Sequence, residues 1–203
     1  MDICAELSSL TTPCVSDASG GLDNLDSAIV PLRENDRVCG QALTVRLALN
    51  DNKAVLQALR EARPGQVLVV DAKACLHAPI AGDFVVGMAK VLGLAGIVAD
   101  GVIRDVQGVK ETGLPVFCRG TTIARAGKGG QGEVNVPISC GGVPVMPGDW
   151  ILGDADGVTV VPQGRAECII ADAKGKQRCD EERTARVLAS REDVLRHLDS
   201  VLG

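Results

Sequence analysis

Between residues 41 and 118, short apolar runs alternate with longer amphipathic stretches, and this alternation restricts the possible folds more than any other feature of the chain. Gln41 to Leu47 reads as a strand, with β character in Ala42-Leu43-Thr44-Val45. Asp51 or Asn52 caps a helix that runs to about Arg63, with Ala54, Val55, Ala58, Leu59 and Ala62 along one face. Pro64-Gly65 stops it, and Val67-Leu68-Val69-Val70 follows as a buried strand ending at Asp71. From Gly82 to Leu92 the apolar residues Val85, Met88, Ala89 and Leu92 recur at helical spacing. Gly93 closes that helix, and Gly96 to Asp100 is the next strand. A turn over Gly101 to Asp105 leads into a short helix ending near Glu111, before a strand at Pro115 to Cys118.

The flanks differ from this middle section. At the start, Leu10 to Ser16 leads into a turn at Asp17-Ala-Ser-Gly-Gly. After Gly120 the chain is loop-like through Gly132. Short β segments then follow near Glu133 to Ile138, Val143 to Met146, Trp150 to Leu152 and Gly157 to Val161. Gln163 to roughly Leu188 is helical, and Ser190-Arg-Glu-Asp193 opens a last helix with a pattern close to a capping box. No linker or repeat divides the sequence. It therefore predicts one α/β layered domain over residues 1–203, its central sheet covered on both sides and its C-terminal helices over about 163–202.

Composition narrows the chemistry. Two Phe, one Trp and no Tyr leave the core to Val, Leu, Ile and Ala, and 24 glycines imply tight turns and close approaches. A formal charge of −5 without a basic block, together with so few aromatics, excludes a nucleic-acid partner held by phosphate neutralisation or base stacking. No apolar stretch approaches the roughly 20 residues that span a bilayer, so no membrane association is expected. The eight cysteines are scattered, form no CxxC and mostly fall in apolar runs, as reduced core residues of a cytoplasmic protein would. His77 and His197 are too few for a Cys/His zinc site, and neither sits in a nucleophile constellation.

Gly127-Lys-Gly-Gly-Gln-Gly132 matches GxGxxG in letters only. A dinucleotide site needs a preceding strand and a following helix, whereas Glu133-Val-Asn-Val136 is β in character; the segment is expected to be a flexible loop, with no nucleotide cofactor. Asp154-Ala-Asp156-Gly157 has too few ligands for a calcium loop. Asp83, Arg104 and Asp105 stand out instead. Each aspartate opens a helix that follows a strand, and each could simply cap it. Together they describe a ligand site at strand ends. The helix beginning at Gly82 offers the amides of Phe84 and Val85 to a carboxylate, and Arg104 offers a planar fork. Asp105 is suited to magnesium, and Asp83 to orienting a water. A metal-free Schiff base would have to use Lys73 or Lys90, and nothing marks either as desolvated.

These residues also carry a family pattern. Val15-Ser-Asp-Ala18, Gly40-Gln-Ala-Leu-Thr-Val45, Pro64-Gly-Gln-Val-Leu-Val-Val-Asp71, Ala81-Gly-Asp83, Ala99-Asp-Gly-Val-Ile-Arg-Asp105 and the run Pro147 to Pro162 resemble the family of 4-hydroxy-4-methyl-2-oxoglutarate aldolases and the regulator of ribonuclease activity A. In its aldolase members an Asp precedes Arg-Asp by twenty intervening residues, the spacing of Asp83 and Arg104-Asp105 here. The resemblance implies an αββα sandwich with a central mixed sheet, and a homotrimer or hexamer with sites between subunits. It implies Mg2+ or Mn2+ on Asp105, substrate and enolate on Arg104, a water held by Asp83, and a glutamate from a neighbouring subunit, matched to Glu182 with Glu181 next. The activity implied is pyruvate aldolase, with oxaloacetate decarboxylation through the same enolate. The competing reading is a non-catalytic protein that binds an RNA-processing enzyme. The chain carries Gly108 where some aldolase members have an acidic residue.

Overall fold

The structure, a computed structural model, describes residues 2–203. Its elements in chain order are α1 (Ile3–Ser8), α2 (Thr12–Ser19), β1 (Val30–Pro31), β2 (Val38–Arg46), α3 (Lys53–Glu61), β3 (Val67–Pro79), α4 (Asp83–Val91), β4 (Gly96–Ile103), α5 (Val106–Thr112), β5 (Val116–Thr121), β6 (Glu133–Val134), β7 (Ile138–Cys140), β8 (Val143–Val145), β9 (Trp150–Asp154), β10 (Gly157–Val161), α6 (Ala166–Val187) and α7 (Arg191–Leu202).

The alternating segment forms a parallel sheet in the order β5-β4-β3-β2, joined by α3, α4 and α5. Strand periodicity explains the layers. Leu43 and Val45, Leu68 and Val70, Ile97 and Ala99, Val116 and Cys118 pack against Ala54, Val55, Ala58, Leu59, Val86, Ala89 and Val109 of the helices. The intervening residues Ala42, Val67, Val69, Val98 and Phe117 face the other way, into a second core with Ile138, Val145, Ile151, Val158 and Val160. Burial on both faces is why these strands read as unbroken apolar runs.

Antiparallel strands complete the sheet. β1 pairs with β5, β9 and β6 share the outer edge of β2, and β10 extends β9. The sheet curls until Gly153 of β9 lies against the Phe117 ring; a Cβ at Gly153 would come 3.0 Å from Cζ. The β7–β8 hairpin covers the inner face beside it. A third core joins Leu152 and Val161 to Leu7, Val15, Ile169, Ile170 and Ala173 of α1, α2 and α6, and to Leu10 between the first two helices. Helices, parallel sheet, second β layer and helices make a mixed αββα sandwich.

Several elements differ from the sequence reading. The expected turn at Asp17-Ala-Ser lies inside α2, which carries Pro13 near its start and ends at Gly20 with φ +92°. β3 runs on to Pro79 through a bulge at Lys73 and Ala74, both in the left-handed region. β4 likewise extends through most of the expected turn, leaving only Arg104 and Asp105 outside it. The glycine-rich segment is not a free loop. Gly127 N–H donates to the Asn50 carbonyl (2.8 Å), Asn52 N–H to the Gly127 carbonyl (3.2 Å), and Gly130 N–H to Asp51 Oδ2 (2.8 Å). A Cβ at Gly132 would come 2.6 Å from Ala54 Cβ, so the close fit accounts for the glycine there.

The cysteines are free, but they are not uniformly core residues. Cys118 and Cys140 are buried, whereas Cys168 and Cys179 lie on the outer side of α6, where Ile169 and Ile170 take the inner side. Among the described residues, no helix is long and apolar enough to cross a membrane.

Candidate active site

The four parallel strands end at one edge, where open α/β sheets bind ligands. Four connections leave that edge and enclose a cleft of about 350 Å³. Asn52 comes from the connection after β2, Pro79 and Ala81 to Val85 from the end of β3 and the start of α4, Arg104 and Asp105 from the connection after β4, and Arg125, Ala126 and Lys128 from the segment after β5. The trio singled out in the sequence is thus brought together with Gly82, Phe84 and Val85.

Neither aspartate is used up in capping by its neighbours' needs. Asp105 occupies the N-cap position of α5 but makes no side-chain cap hydrogen bond, and its backbone is left-handed at φ +56°. That conformation is unfavourable for a residue with a Cβ. It turns the carboxylate back towards Arg104, whose Nε lies 3.2 Å from Oδ2, with both side chains about two-fifths exposed. Gly82 provides the space: a Cβ there would fall 2.4 Å from Asp105 Oδ2 and 3.3 Å from Arg104 Cγ. Arg104 N–H donates to the Ala81 carbonyl (3.0 Å), which ties the two connections together.

Asp83 is the first residue of α4, after the N-cap Gly82. Its Oδ1 accepts from the adjacent Phe84 N–H (2.6 Å), so that amide is engaged within the chain. The Val85 amide has no intrachain acceptor among the described residues. Gly108 of α5 lets Asp83 sit close; a Cβ at 108 would come 2.7 Å from Asp83 Cβ and 2.8 Å from Oδ2. An acidic side chain at position 108 would collide with Asp83 in this arrangement.

Three lining residues escaped the sequence reading. Asn52 was expected only as a cap, yet its side chain makes no cap bond. Its amide nitrogen donates to the Ile80 carbonyl (3.2 Å), while the buried Oδ1 has no partner. Lys128 arrives on the segment dismissed as a mismatched GxGxxG, and Arg125 on the loop just before it. Their available signal was position, since both follow a parallel strand of the same sheet.

Asp51 holds that segment. Burial pushes its carboxyl pKa up, but the amides of Gly130, Lys53 and Gly129 together outweigh burial and leave it below the usual carboxylate value. The contacts include Lys53 N–H at 2.8 Å from Oδ1.

Other residues lie elsewhere. Glu182 is exposed on α6 and does not line the cleft of its own chain. Lys73 and Lys90 are exposed and also outside it, which leaves the Schiff-base alternative without a lysine near Arg104 other than Lys128. A larger hollow of about 760 Å³ between α4 and α5 shares Asp83 and Phe84 with the cleft, but its lining is mainly apolar and carries no cation.

The donor set fits a hard divalent cation. Among the described residues, no group of three or more His, Cys, Asp or Glu side chains could cage an ion. Magnesium and manganese sites commonly take one or two protein carboxylates and fill the rest with water and substrate oxygens. Asp105, with its uncapped carboxylate over Gly82, matches that need.

Comparison with known proteins agrees with this architecture. The family described as Aldolase/RraA (RraA-like) matches residues 12–160. A protein of Halalkalibacterium halodurans named "Putative 4-hydroxy-4-methyl-2-oxoglutarate aldolase" is 56% identical over 90% of this chain and 87% of its own length. The 4-hydroxy-4-methyl-2-oxoglutarate aldolase of Thermus thermophilus is 35% identical over 63% of this chain and 77% of its own. Among solved structures, Streptomyces coelicolor RraAS2, described as an unusual member of the RNase ES inhibitor RraA protein family, superimposes with a TM-score of 0.82 at 32% identity, covering 92% of this chain and 98% of that one. The chain belongs to the RraA-like family.

Proposed function

We infer that the chain is a divalent-metal-dependent carbon–carbon lyase acting on 2-oxo acids. It cleaves 4-hydroxy-4-methyl-2-oxoglutarate or 4-carboxy-4-hydroxy-2-oxoadipate and decarboxylates oxaloacetate through a shared pyruvate enolate. The observation that carries this reading is Asp105: a strained helix-start aspartate whose carboxylate caps nothing and faces a cleft beside Arg104. The names borne by the relatives from H. halodurans and T. thermophilus support it.

Asp105 would hold Mg2+ or Mn2+, which when bound supplies Lewis acidity to the 2-oxo group. The Arg104 guanidinium grips the oxygen at C2 and stabilises the negative charge that develops there. The Val85 amide, at the positive end of α4, donates to the C1 carboxylate. Asp83 positions a water that takes the C4 hydroxyl proton as the C3–C4 bond breaks. The bonding pair passes into the C2–C3 enolate, and a proton returned to C3 yields pyruvate. From 4-hydroxy-4-methyl-2-oxoglutarate the departing half is a second pyruvate, so the atoms balance. The proposed assembly is a homotrimer or hexamer in which a neighbour's Glu182 completes proton transfer.

A non-catalytic regulator of an RNA-processing enzyme is the second reading. The description of the S. coelicolor neighbour favours it, as does the exposed apolar wall of Phe84 and Val91 beside the cleft. Pyruvate release from oxaloacetate and from 4-hydroxy-4-methyl-2-oxoglutarate, with and without chelator, tests the choice. The lyase reading requires turnover that chelation and Asp105→Ala both abolish. Metal-independent turnover or full activity in Asp105→Ala would refute the mechanism, and no turnover of either substrate shifts the weight to the regulator.

A further inference from the structure

The two walls of the cleft differ in kind. One wall, from Gly82 to Val85 with Arg104 and Asp105, receives the 2-oxo end of a substrate. The other carries Arg125 and Lys128, both exposed, and among the described residues neither takes part in an ion pair. Arg104 has Asp105 beside it. Arg125 and Lys128 have no such counter-ion among the described residues.

The backbone that carries Arg125 is also anchored. On its N-terminal side, Thr122 N–H donates to the Ile103 carbonyl (2.8 Å), one residue before Arg104, and Ala124 N–H donates to Thr122 Oγ1 (3.2 Å). On its C-terminal side, Gly127 N–H is bonded to the Asn50 carbonyl and Asp51 holds Gly130. The arginine is therefore carried on a short span anchored at both ends and lines the same cleft as Arg104. Three cations face the two carboxylates of Asp83 and Asp105 before any dication is added. A substrate with one carboxylate leaves the Arg125 wall uncompensated, and a second carboxylate on the departing half neutralises it.

We propose that Arg125 is the specificity-determining residue of this site, taking the carboxylate on the departing half and so selecting 2-oxo dicarboxylates over 2-oxo monocarboxylates. Its planar fork can accept both oxygens of that group, which the point charge of Lys128 cannot match. The proposal rests on the lyase reading above.

Two substrates isolate the contact. 4-Hydroxy-4-methyl-2-oxoglutarate and 4-hydroxy-4-methyl-2-oxopentanoate share the bond that breaks and differ in a distal carboxylate or methyl group. Their kcat/KM values are measured for wild type, Arg125→Ala and Arg125→Lys. Deuterium exchange into the methyl group of pyruvate reports the enolate machinery without a distal group. Arg125→Ala should lower kcat/KM for the dicarboxylate about 10-fold or more, mainly through KM. The monocarboxylate and the exchange rate should stay within about two-fold, with Arg125→Lys intermediate for the dicarboxylate. An unchanged preference, or an equal fall on both substrates and in exchange, overturns the role of Arg125. If wild type neither cleaves the dicarboxylate nor exchanges pyruvate, the lyase reading fails and the role falls with it.

Discussion

Gly82→Ala is the sharpest available probe of the site, because it perturbs Asp105 without altering Asp105. Gly82 has φ −124° and ψ −173°, extended backbone that alanine adopts without strain. The new methyl carbon would fall 2.4 Å from Asp105 Oδ2, whereas ordinary contact begins at 3.4 Å, so the carboxylate must retreat by about 1 Å. It can do so, being the end of a side chain that is 44% exposed. The fold should therefore tolerate the change, with a loss of about 0.5–1 kcal/mol for alanine in place of glycine at a helix N-cap. The chemistry should not. A misplacement of about 1 Å at a reacting centre costs on the order of 100-fold, or about 2.7 kcal/mol of barrier. The assay follows pyruvate release from 4-hydroxy-4-methyl-2-oxoglutarate at saturating Mg2+, with thermal unfolding recorded in parallel. Gly87→Ala is the control: it lies on the same helix with nothing within 4 Å of the added carbon, and should keep full activity. Near wild-type turnover in Gly82→Ala would show that Asp105 need not sit where it does, and would remove the basis for assigning it the metal.

Asp51→Ala removes the acceptor of Gly130 and Lys53, and should free the segment carrying Arg125 and Lys128 at a stability loss of about 1–2 kcal/mol. Because the folded-state pKa of Asp51 is depressed, its contribution is fully present above the unfolded carboxylate value near 4 and is lost as pH falls through the lower folded value. Wild type should accordingly lose more stability than Asp51→Ala as pH falls below about 4 in urea melts; parallel curves would refute the latch. Asp100→Ala strips buried Asp100 from Arg119 and from the Gly141 amide, and should cost roughly 3–5 kcal/mol. Asp26→Ala, which removes the exposed partner of the same arginine, should have a much smaller effect, and equal losses in the two variants would contradict this assignment.

The layered fold was legible because its information is periodic. Strands buried on both faces announce themselves as Val67 to Val70 or Gly96 to Ala99, and Gly93 and Pro64-Gly65 punctuate the helices between them. The elements that were missed lack such a pattern. α2 carries Asp17 and two serines in its eight residues, and Lys73-Ala74 interrupts the alternation of β3 with a bulge that only tertiary pairing creates. The candidate site was half legible for a related reason. Asp83, Arg104 and Asp105 lie on connections whose flanking strands and helices could be read. Asn52, Arg125 and Lys128 join them only through the parallel order β5-β4-β3-β2, a long-range fact that places four strand ends on one edge.

Local choices within that edge conflict with local economy, and the conflict itself points to the site. An aspartate at a helix start ordinarily stabilises the helix by about 1 kcal/mol through a side-chain cap. Asp105 makes no such bond, although it stands at the N-cap of α5, and it carries in addition the penalty of a left-handed backbone. Gly82 forgoes the capping side chain that the N-cap of α4 could have had, and Gly108 places a poor helix former inside α5. Asn52 leaves a buried oxygen unpartnered beside them. Each departure weakens the fold slightly, and each opens space or leaves a polar group free at the same cleft. Strain of this kind persists only where surrounding structure enforces it, here the packed strands β3 and β4 with the Arg104-to-Ala81 hydrogen bond. Stability and site therefore draw on different residues. Side chains introduced at Gly82 or Gly108 crowd the two aspartates and should lower activity, whereas the same changes at Gly87, which has open space around it, should not.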